Sequence, residues 1–485
     1  MSKQLYELPA SKILFLLAGA LCVRETLAQR TAPSPSLPWH SKEERDLSAQ
    51  LAADRQPSWK IDPEKVYTLP ELIDLAESHN PETRTAWERA RMRADEVGVA
   101  RAAYYPTLAA TVLAASTRQA ALIGEYFHRQ TIAFLRPTLH VDYLVFDLGG
   151  RSGSLDIAKA NLLIENLEFN NTHRRVIYQV ASSYFRLLNA KGQREAAEIS
   201  LRNAKAVESD AESRLKNGLG TRPDLLEAAA ARAQADYDLL AAVGAEKISQ
   251  GELATAMGLS VDTKFRVEGL SEIPIPKTAA DSLSEEIERA FRQRPELLAD
   301  VARIRSVEGQ LKQARSDYFP AIHFAGDGGF IRGYGQQDLY AGHYGQGETW
   351  SAGLEMRWTL FDGAGREKRV AAAKAEKNVA EAELHAMRDQ IEQEVFTSYT
   401  NMQTALSQQR AATELLAASS QSYEAARRSY SLGLRNQLDV ISSQKSLAQA
   451  RYADVAARSQ LLLQVADLAF RTGDTIQMQA HITKP

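Results

Sequence analysis

The chain has little cysteine, few aromatic residues and almost no net charge. One cysteine among 485 residues excludes a disulfide framework and any zinc or iron–sulfur site built on cysteine. A formal net charge of −3 excludes a broad basic face, so we expect no nucleic-acid partner. The mean hydropathy is −0.34, and no apolar run approaches the roughly 18 residues that a membrane-spanning helix needs. These averages are typical of a soluble helical protein.

Motifs of catalysis are missing as well. The sequence contains no Gly-Lys-Ser/Thr, no His-Glu-x-x-His and no Gly-x-Ser-x-Gly. Its nine histidines do not have the spacing of metal ligands. We therefore expect no enzymatic activity, no cofactor and no metal site. Any energy for its function must come from a partner.

The N-terminus has the layout of an export signal. Two lysines precede an apolar run over residues 13–23, and small residues follow, which predicts a secretory signal peptide over residues 1–28. A buried N-terminal helix is the alternative. Cys22 suggests a lipoprotein, but Leu21 stands where a small residue is needed, so lipidation is disfavoured. Residues 29–66 are Pro-rich and predict an extended or partly disordered lead-in.

The rest of the chain is a duplication with an offset of about 215 residues. The matching segments occur in the same order in both halves: Phe146-Asp147 and Phe361-Asp362, Gly150-Arg151 and Gly365-Arg366, Gly218-Leu219 and Gly433-Leu434, and Asp224 and Asp439. Such a series predicts two copies of one structural unit.

Each copy is predicted to hold a helix, a β-hairpin, a very long helix and a return helix. A Pro-free Ala/Glu/Arg-rich stretch would form a helix of about 100 Å at about 1.5 Å per residue. In the first repeat, 67–275, we expect the helix over 70–104, the hairpin over 106–146, the long helix over 151–217 and the return helix over 222–257. The corresponding elements of the second repeat, 276–470, are expected over 284–318, 320–361, 366–432 and 437–470, followed by a tail over 471–485.

The hairpins have the pattern of membrane strands. Apolar and polar residues alternate strictly from Trp350 to Leu360, over about ten residues, the length of a transmembrane β-strand. Trp350 and Trp358 stand near the ends of the apolar stripe, where aromatic girdles meet the bilayer surfaces. The Gly/Tyr/Gln-rich segment 332–349 predicts an exposed outer loop. A sheet packed on a soluble core is the alternative, but the flanking helices are too polar to cover one.

Four strands cannot close a barrel, and an open strand edge is forbidden in lipid. The smallest single-chain barrels have about 8 strands, so the chain must oligomerise. A dimer would supply about 8 strands with a filled interior, and a trimer about 12 with room for a lumen. The strand count leaves both possibilities open.

Over about residues 67–470 the chain resembles the TolC-like outer-membrane efflux family. The resemblance rests on the duplication, the paired Phe-Asp-x-x-Gly-Arg segments and the segments 217–226 and 432–441 at the helix tips. It implies an α+β membrane protein, a homotrimer with a 12-stranded outer-membrane barrel above a periplasmic tunnel of coiled helices. It also implies a periplasmic adaptor and an inner-membrane pump as partners.

The resemblance also implies a gate at the periplasmic end. Asp439 would belong to a ring of acidic side chains at the constriction, while Ser442 replaces a second Asp found in some members. Tyr430 and Arg435 match latch positions, with Asp224 as their expected acceptor. The alternative is that both aspartates only favour the starts of their helices.

The helix tips are the expected contacts of the adaptor, carried by Gly218, Leu219, Gly433 and Leu434. A structural cap at each glycine is the plainer interpretation and is compatible with this one. The leading hypothesis is a passive outer-membrane duct that exports small molecules or proteins for a tripartite pump. A periplasmic helical-hairpin adaptor is the alternative; an enzyme on a coiled-coil scaffold has no motif in its support.

Overall fold

The computed structural model describes residues 35–36, 42–53, 59, 61–275, 282–337 and 340–474. The expected signal peptide, parts of the lead-in and most of the tail lie outside these residues. The chain divides into two compact units. The sheet unit comprises residues 103–148 and 319–359 together with the chain up to residue 57, and the helical unit comprises 58–102, 149–318 and 360–485.

The sheet unit holds two long antiparallel hairpins joined edge to edge. Its strands are β2 (Thr107–Ile123), β3 (Tyr126–Phe146), β5 (Ala321–Gln337) and β6 (Tyr340–Arg357). They pair in the order β2-β3-β5-β6, so one hairpin comes from each repeat. The predicted fold class, with four strands per chain in two hairpins, is confirmed for the chain. A further helix, α1 (Lys42–Ala53), precedes them in the sequence, so this part of the lead-in is helical and the prediction of an extended or disordered chain is wrong for it.

The predicted outer loop over 332–349 is wrong, because both strands continue through most of it. Arg332 pairs with Gln346, and Tyr334 pairs with Tyr344, their ring centroids 5.0 Å apart. The hydroxyl of Tyr334 lies over Gly342, where an added Cβ would stand 1.7 Å away. Gly342 therefore makes room for a cross-strand aromatic ring within a continuous hairpin.

The helical unit contains the remaining described elements. They are β1 (Val66–Tyr67), α2 (Leu69–His79), α3 (Pro81–Ala102), α4 (Gly150–Lys216), α5 (Arg222–Ala256), β4 (Arg266–Val267), a 3₁₀ turn (Leu270–Glu272), α6 (Leu283–Gln293), α7 (Pro295–Ser316), α8 (Gly365–Ser431) and α9 (Gln437–Thr472). Helix α4 packs against α3, α5, α7 and α9, and α8 packs against α7 and α9. Among the described residues, no helix combines the length and the apolar character needed to cross a membrane.

The two long helices have 67 residues each. Their bounds start and end one residue before the predicted 151–217 and 366–432. Each begins after a left-handed residue, Gly149 at φ 119° and Ala364 at φ 66°. The return helices α5 and α9 end within two residues of their predicted ends at 257 and 470.

The helices predicted over 70–104 and 284–318 are each two helices, which corrects the sequence expectation. Asn80 and Arg294 adopt extended backbone, with ψ 129° and 119°. Each precedes a proline, which clashes with helical backbone in the residue before it. Pro81 and Pro295 then serve as first residues of α3 and α7, where a missing N–H costs nothing.

The main core of the helical unit lies around the middle of α4. Val176, Val180, Tyr184 and Leu188 are fully buried there against α2, the end of α5 and the loop around Phe265. Beside this core β1 pairs with β4 in parallel, so the described parts of the lead-in and the inter-repeat linker meet.

Two glycines allow α4 and α7 to approach closely. A Cβ on Gly153 would stand 2.8 Å from the carbonyl oxygen of Gly309, and a Cβ on Gly309 would stand 2.8 Å from Ile157 Cγ1. We expect Gly153→Ala to lower the free energy of unfolding by about 1–3 kcal/mol, because backbone atoms cannot yield as a flexible side chain would. Urea unfolding of the purified protein in detergent, followed by circular dichroism, measures the change.

Gly98→Ala on α3 is the matched control for this substitution. A Cβ at Gly98 meets nothing within 4 Å, so the change should be neutral or stabilise the helix by about 0.5–1 kcal/mol. Equal destabilisation by both variants would show that the close approach of α4 and α7 is unimportant.

Candidate functional site

The tip of the first helical hairpin is a tight turn between α4 and α5. Gly218 has φ 73°, a left-handed conformation that glycine adopts without strain. Its N–H donates to the carbonyl of Leu215 at 3.1 Å, and the N–H of Leu219 donates to the carbonyl of Arg214 at 2.8 Å. These two bonds form a Schellman motif, which satisfies the last carbonyls of the helix.

The tip of the second hairpin, between α8 and α9, repeats this geometry. Gly433 has φ 77°, its N–H donates to the carbonyl of Tyr430 at 3.0 Å, and Leu434 donates to Ser429 at 2.9 Å. The sequence pattern thus located both turns. Leu219 and Leu434 are each 76% exposed, so both tips present an apolar side chain to solvent.

Asp224 and Asp439 occupy the same place in the two return helices. The N–H of Asp224 donates to the Thr221 hydroxyl at 3.4 Å, and the N–H of Asp439 donates to Asn436 Oδ1 at 2.9 Å. Asp224 also accepts from the hydroxyl and the N–H of Thr221, and these bonds hold its pKa below the usual range. Both aspartates therefore belong to helix N-terminal turns, where negative charge is favoured.

The expected latch partners form no direct hydrogen bond or ion pair with one another in the described part of this chain. Asp224 bonds to Thr221, Arg435 is exposed, and the Tyr430 hydroxyl donates to Gln437 Oε1 at 2.5 Å. Burial raises the pKa of Tyr430 above its ordinary value, so this hydroxyl stays protonated as a donor. The latch between Asp224 and these two residues stays a prediction.

Sequence reasoning missed the main neighbour of Tyr430. The guanidinium carbon of Arg214 lies 4.1 Å from the Tyr430 ring centroid, and Arg214 Nη2 donates to the Tyr430 carbonyl at 3.0 Å. The only hint in the sequence is that Arg214 stands in the last turn of α4, where a cation favours the helix end.

In the sheet unit, Trp350 is 82% exposed and Trp358 is 52% exposed. Trp358 lies just beyond the end of β6 instead of within the strand, and the girdle role of both residues stays a prediction. The opposite face carries a polar row, in which Asp327 Oδ1 lies 2.7 Å from His140 Nδ1 and Ser351 donates to Asp327 at 3.3 Å.

The chain matches the outer membrane efflux protein family over residues 72–259 and 287–474. The two matched segments cover one repeat each and together most of the chain. The protein belongs to this family. It is an outer-membrane channel for efflux or secretion, and the adaptor alternative is not favoured.

Relatives of known name agree with this assignment. Protein CyaE of Bordetella pertussis is 27% identical over 419 residues, which cover 84% of each chain. The outer membrane efflux protein BepC of Brucella suis is 21% identical over 423 residues, 86% of this chain and 89% of BepC. The crystal structure of the Campylobacter jejuni CmeC outer membrane channel matches with a TM-score of 0.70 at 17% identity, covering 92% of this chain and 94% of that one.

Proposed function

We propose that three copies of this chain form the working channel. The observation that carries the proposal is that, within the described residues, β2 and β6 each pair on one side only. Their edges extend over 17 and 18 residues, and lipid cannot satisfy free N–H and C=O groups. Pairing of β6 with β2 of the next copy satisfies both edges. Three copies then supply about 12 strands, enough for a lumen.

The helical units of the three copies form the conduit into the periplasm, and the hairpin tips receive a periplasmic adaptor. The exposed Leu219 and Leu434 offer apolar contacts next to rigid glycine turns. A groove of about 580 Å³ between α5 and α9, lined by small residues that include Ala230, Ala231 and Ala448, adds a largely apolar surface for the same partner. An inner-membrane pump supplies the energy, and this chain performs no catalysis.

Recovery from cell fractions and conductance test this proposal together. The protein should appear in the outer-membrane fraction as a heat-modifiable oligomer of three chains, and it should conduct ions in planar bilayers. Recovery from soluble periplasm alone, or an oligomer of two chains, would contradict it.

The gate at the periplasmic end is assigned to Asp439. The residue is half-buried at the start of α9, beside the second tip. Three copies of its carboxylate around one axis would attract divalent cations and narrow the passage. Tyr430, Arg435 and Asp224 complete the proposed gate as residues that hold the tips in place.

Asp439→Ala is expected to raise single-channel conductance and to weaken block by Mg²⁺. Loss of the carboxylates should raise the Mg²⁺ concentration for half block by about tenfold, equivalent to about 1.4 kcal/mol. Recordings in planar bilayers with Mg²⁺ on the tip side measure both quantities. Asp236→Ala, at an exposed position further along α5, is the control with the same change in charge. Conductance equal to that of the control would remove Asp439 from the constriction.

A further inference from the structure

Arg214 and Tyr430 connect the two helical hairpins at their tips. Arg214 belongs to the last turn of α4 and Tyr430 to the last turn of α8. The guanidinium both covers the Tyr430 ring at 4.1 Å and donates to the Tyr430 carbonyl at 3.0 Å. A planar guanidinium can make these two contacts at once, and an ammonium group cannot stack in this way.

This contact is not a product of the duplication. At the repeat offset of about 215 residues, Arg214 corresponds to Ser429 and Tyr430 corresponds to Leu215. The reverse pair therefore has neither a cation nor an aromatic ring. The contact therefore exists once: the first tip supplies the cation and the second tip supplies the ring.

Tyr430 in turn contacts both ends of the second tip. Its carbonyl accepts the N–H of Gly433, which sets the turn, and also accepts from Arg214. Its hydroxyl donates to Gln437, the first residue of α9, which is 3% exposed. Asp439 follows two residues later. Movement of Tyr430 would therefore displace the turn and the start of α9 together.

We propose that Arg214 is a positioning residue of the gate, which clamps the second tip to the first and thereby sets the position of Asp439. The inference rests on the gate proposed above. The clamp combines a cation–π contact, a charge-assisted hydrogen bond and a cation at the negative end of α8. These are contacts that an opening movement of the second hairpin away from the first would break.

The experiment records the fraction of time that single channels spend in the high-conductance state in planar bilayers. Arg214→Ala should shift the closed-to-open ratio toward open by about tenfold, the size expected for a cation–π contact together with a charged hydrogen bond. Arg214→Lys keeps the charge and loses the stacking, so it should give a smaller shift. Arg202→Ala, at an exposed arginine of the same helix, should behave as the wild type.

A double substitution separates the clamp from general loosening of the helix. Tyr430→Leu removes the ring, so Arg214→Ala should have a smaller effect in that background than in the wild type. The temperature at which the oligomer dissociates is measured in parallel, and it should stay close to that of the wild type while the open fraction changes. If Arg214→Ala fails to assemble, Arg214→Lys decides the question.

The outcomes distinguish the clamp from the gate. Wild-type opening of both Arg214 variants, with a raised conductance of Asp439→Ala, would overturn the clamp and leave the gate intact. Equal effects of Arg214→Ala in the wild-type and Tyr430→Leu backgrounds would also overturn it. No change in either Arg214→Ala or Asp439→Ala would reject the gate at these tips, and the clamp with it.

Discussion

Glu296→Ala is expected to lower the free energy of unfolding by about 3–5 kcal/mol, because it leaves two buried arginines without their shared carboxylate. Glu296 Oε2 lies 3.2 Å from Arg174 Nη1, and Oε1 lies 3.3 Å from Arg294 Nη2. The side chains of Arg174 and Arg294 are only 1% and 7% exposed. Two cations that share one carboxylate would repel each other across the space it leaves.

The wider charge network cannot replace the lost carboxylate. Glu394 lies 2.7 Å from Arg294 and 3.0 Å from Arg471, so it already serves two cations. Arg174 retains a hydrogen bond to the Phe470 carbonyl and its position over the Phe470 ring, but neither contact carries a full negative charge. The network joins α4, α7, α8 and α9 at the break before Pro295, and its loss should loosen all four.

The Glu296 carboxyl also makes the free energy of unfolding depend on pH. Burial alone would raise the pKa of the Glu296 carboxyl, but the charge and hydrogen bonds of Arg294 and the charge of Arg174 hold it below the ordinary 4.5. A carboxyl with a lower pKa in the folded state stabilises the fold above its unfolded pKa and loses that contribution as the pH falls through the folded value. The contribution of Glu296 to stability should therefore be level down to about pH 5 and fall in more acidic solution.

Urea unfolding in detergent at neutral and acidic pH measures both effects. Glu82→Ala is the matched control, because its partner Arg175 lies 3.4 Å away in a pair that is half exposed. An exposed pair is worth about 0–1 kcal/mol. A loss in Glu296→Ala no greater than in Glu82→Ala would show that the buried network contributes little.

Local patterns predicted the fold better than they predicted the side-chain contacts. The duplication and the Gly-Arg segments placed the starts of α4 and α8 within one residue, since caps and turns depend on neighbouring residues. The breaks at Asn80 and Arg294 were missed although Pro81 and Pro295 follow them. Proline suits the first turn of a new helix as well as it disrupts an existing one.

In the candidate site too, local structure was predictable from the sequence and long-range side-chain contacts were not. The glycine turns and the N-terminal positions of Asp224 and Asp439 follow from local sequence. The contact of Arg214 with Tyr430 joins residues 216 positions apart, and no periodicity relates them. The buried Arg174 was equally invisible, since it occurs in a helix rich in exposed charges and its burial depends on the packing of four helices.

Leu354→Arg is expected to abolish assembly in the outer membrane. Leu354 lies midway along the apolar stripe between Trp350 and Trp358, and its side chain is 71% exposed in the single chain. Met356, two residues on, faces the same side of β6 and is 65% exposed. An arginine on the lipid face near the bilayer midplane costs about 2–4 kcal/mol, and each copy in the channel adds its own cost. Outer-membrane fractionation and the heat-modifiable oligomer on gels measure the loss.

Ser351→Arg is the control that tests the direction of the two faces. Ser351 points to the opposite side of β6, where it donates to Asp327 in the polar row with His140. An arginine there meets a carboxylate and a polar surface, so the variant should reach the outer membrane and assemble like the wild type. Leu354→Arg and Ser351→Arg place the same charge three positions apart on the same strand. Comparing them distinguishes an effect of contact with lipid from a general intolerance of β6 to arginine. Equal assembly of both variants would place the apolar stripe away from lipid, and failure of Ser351→Arg alone would reverse the two faces.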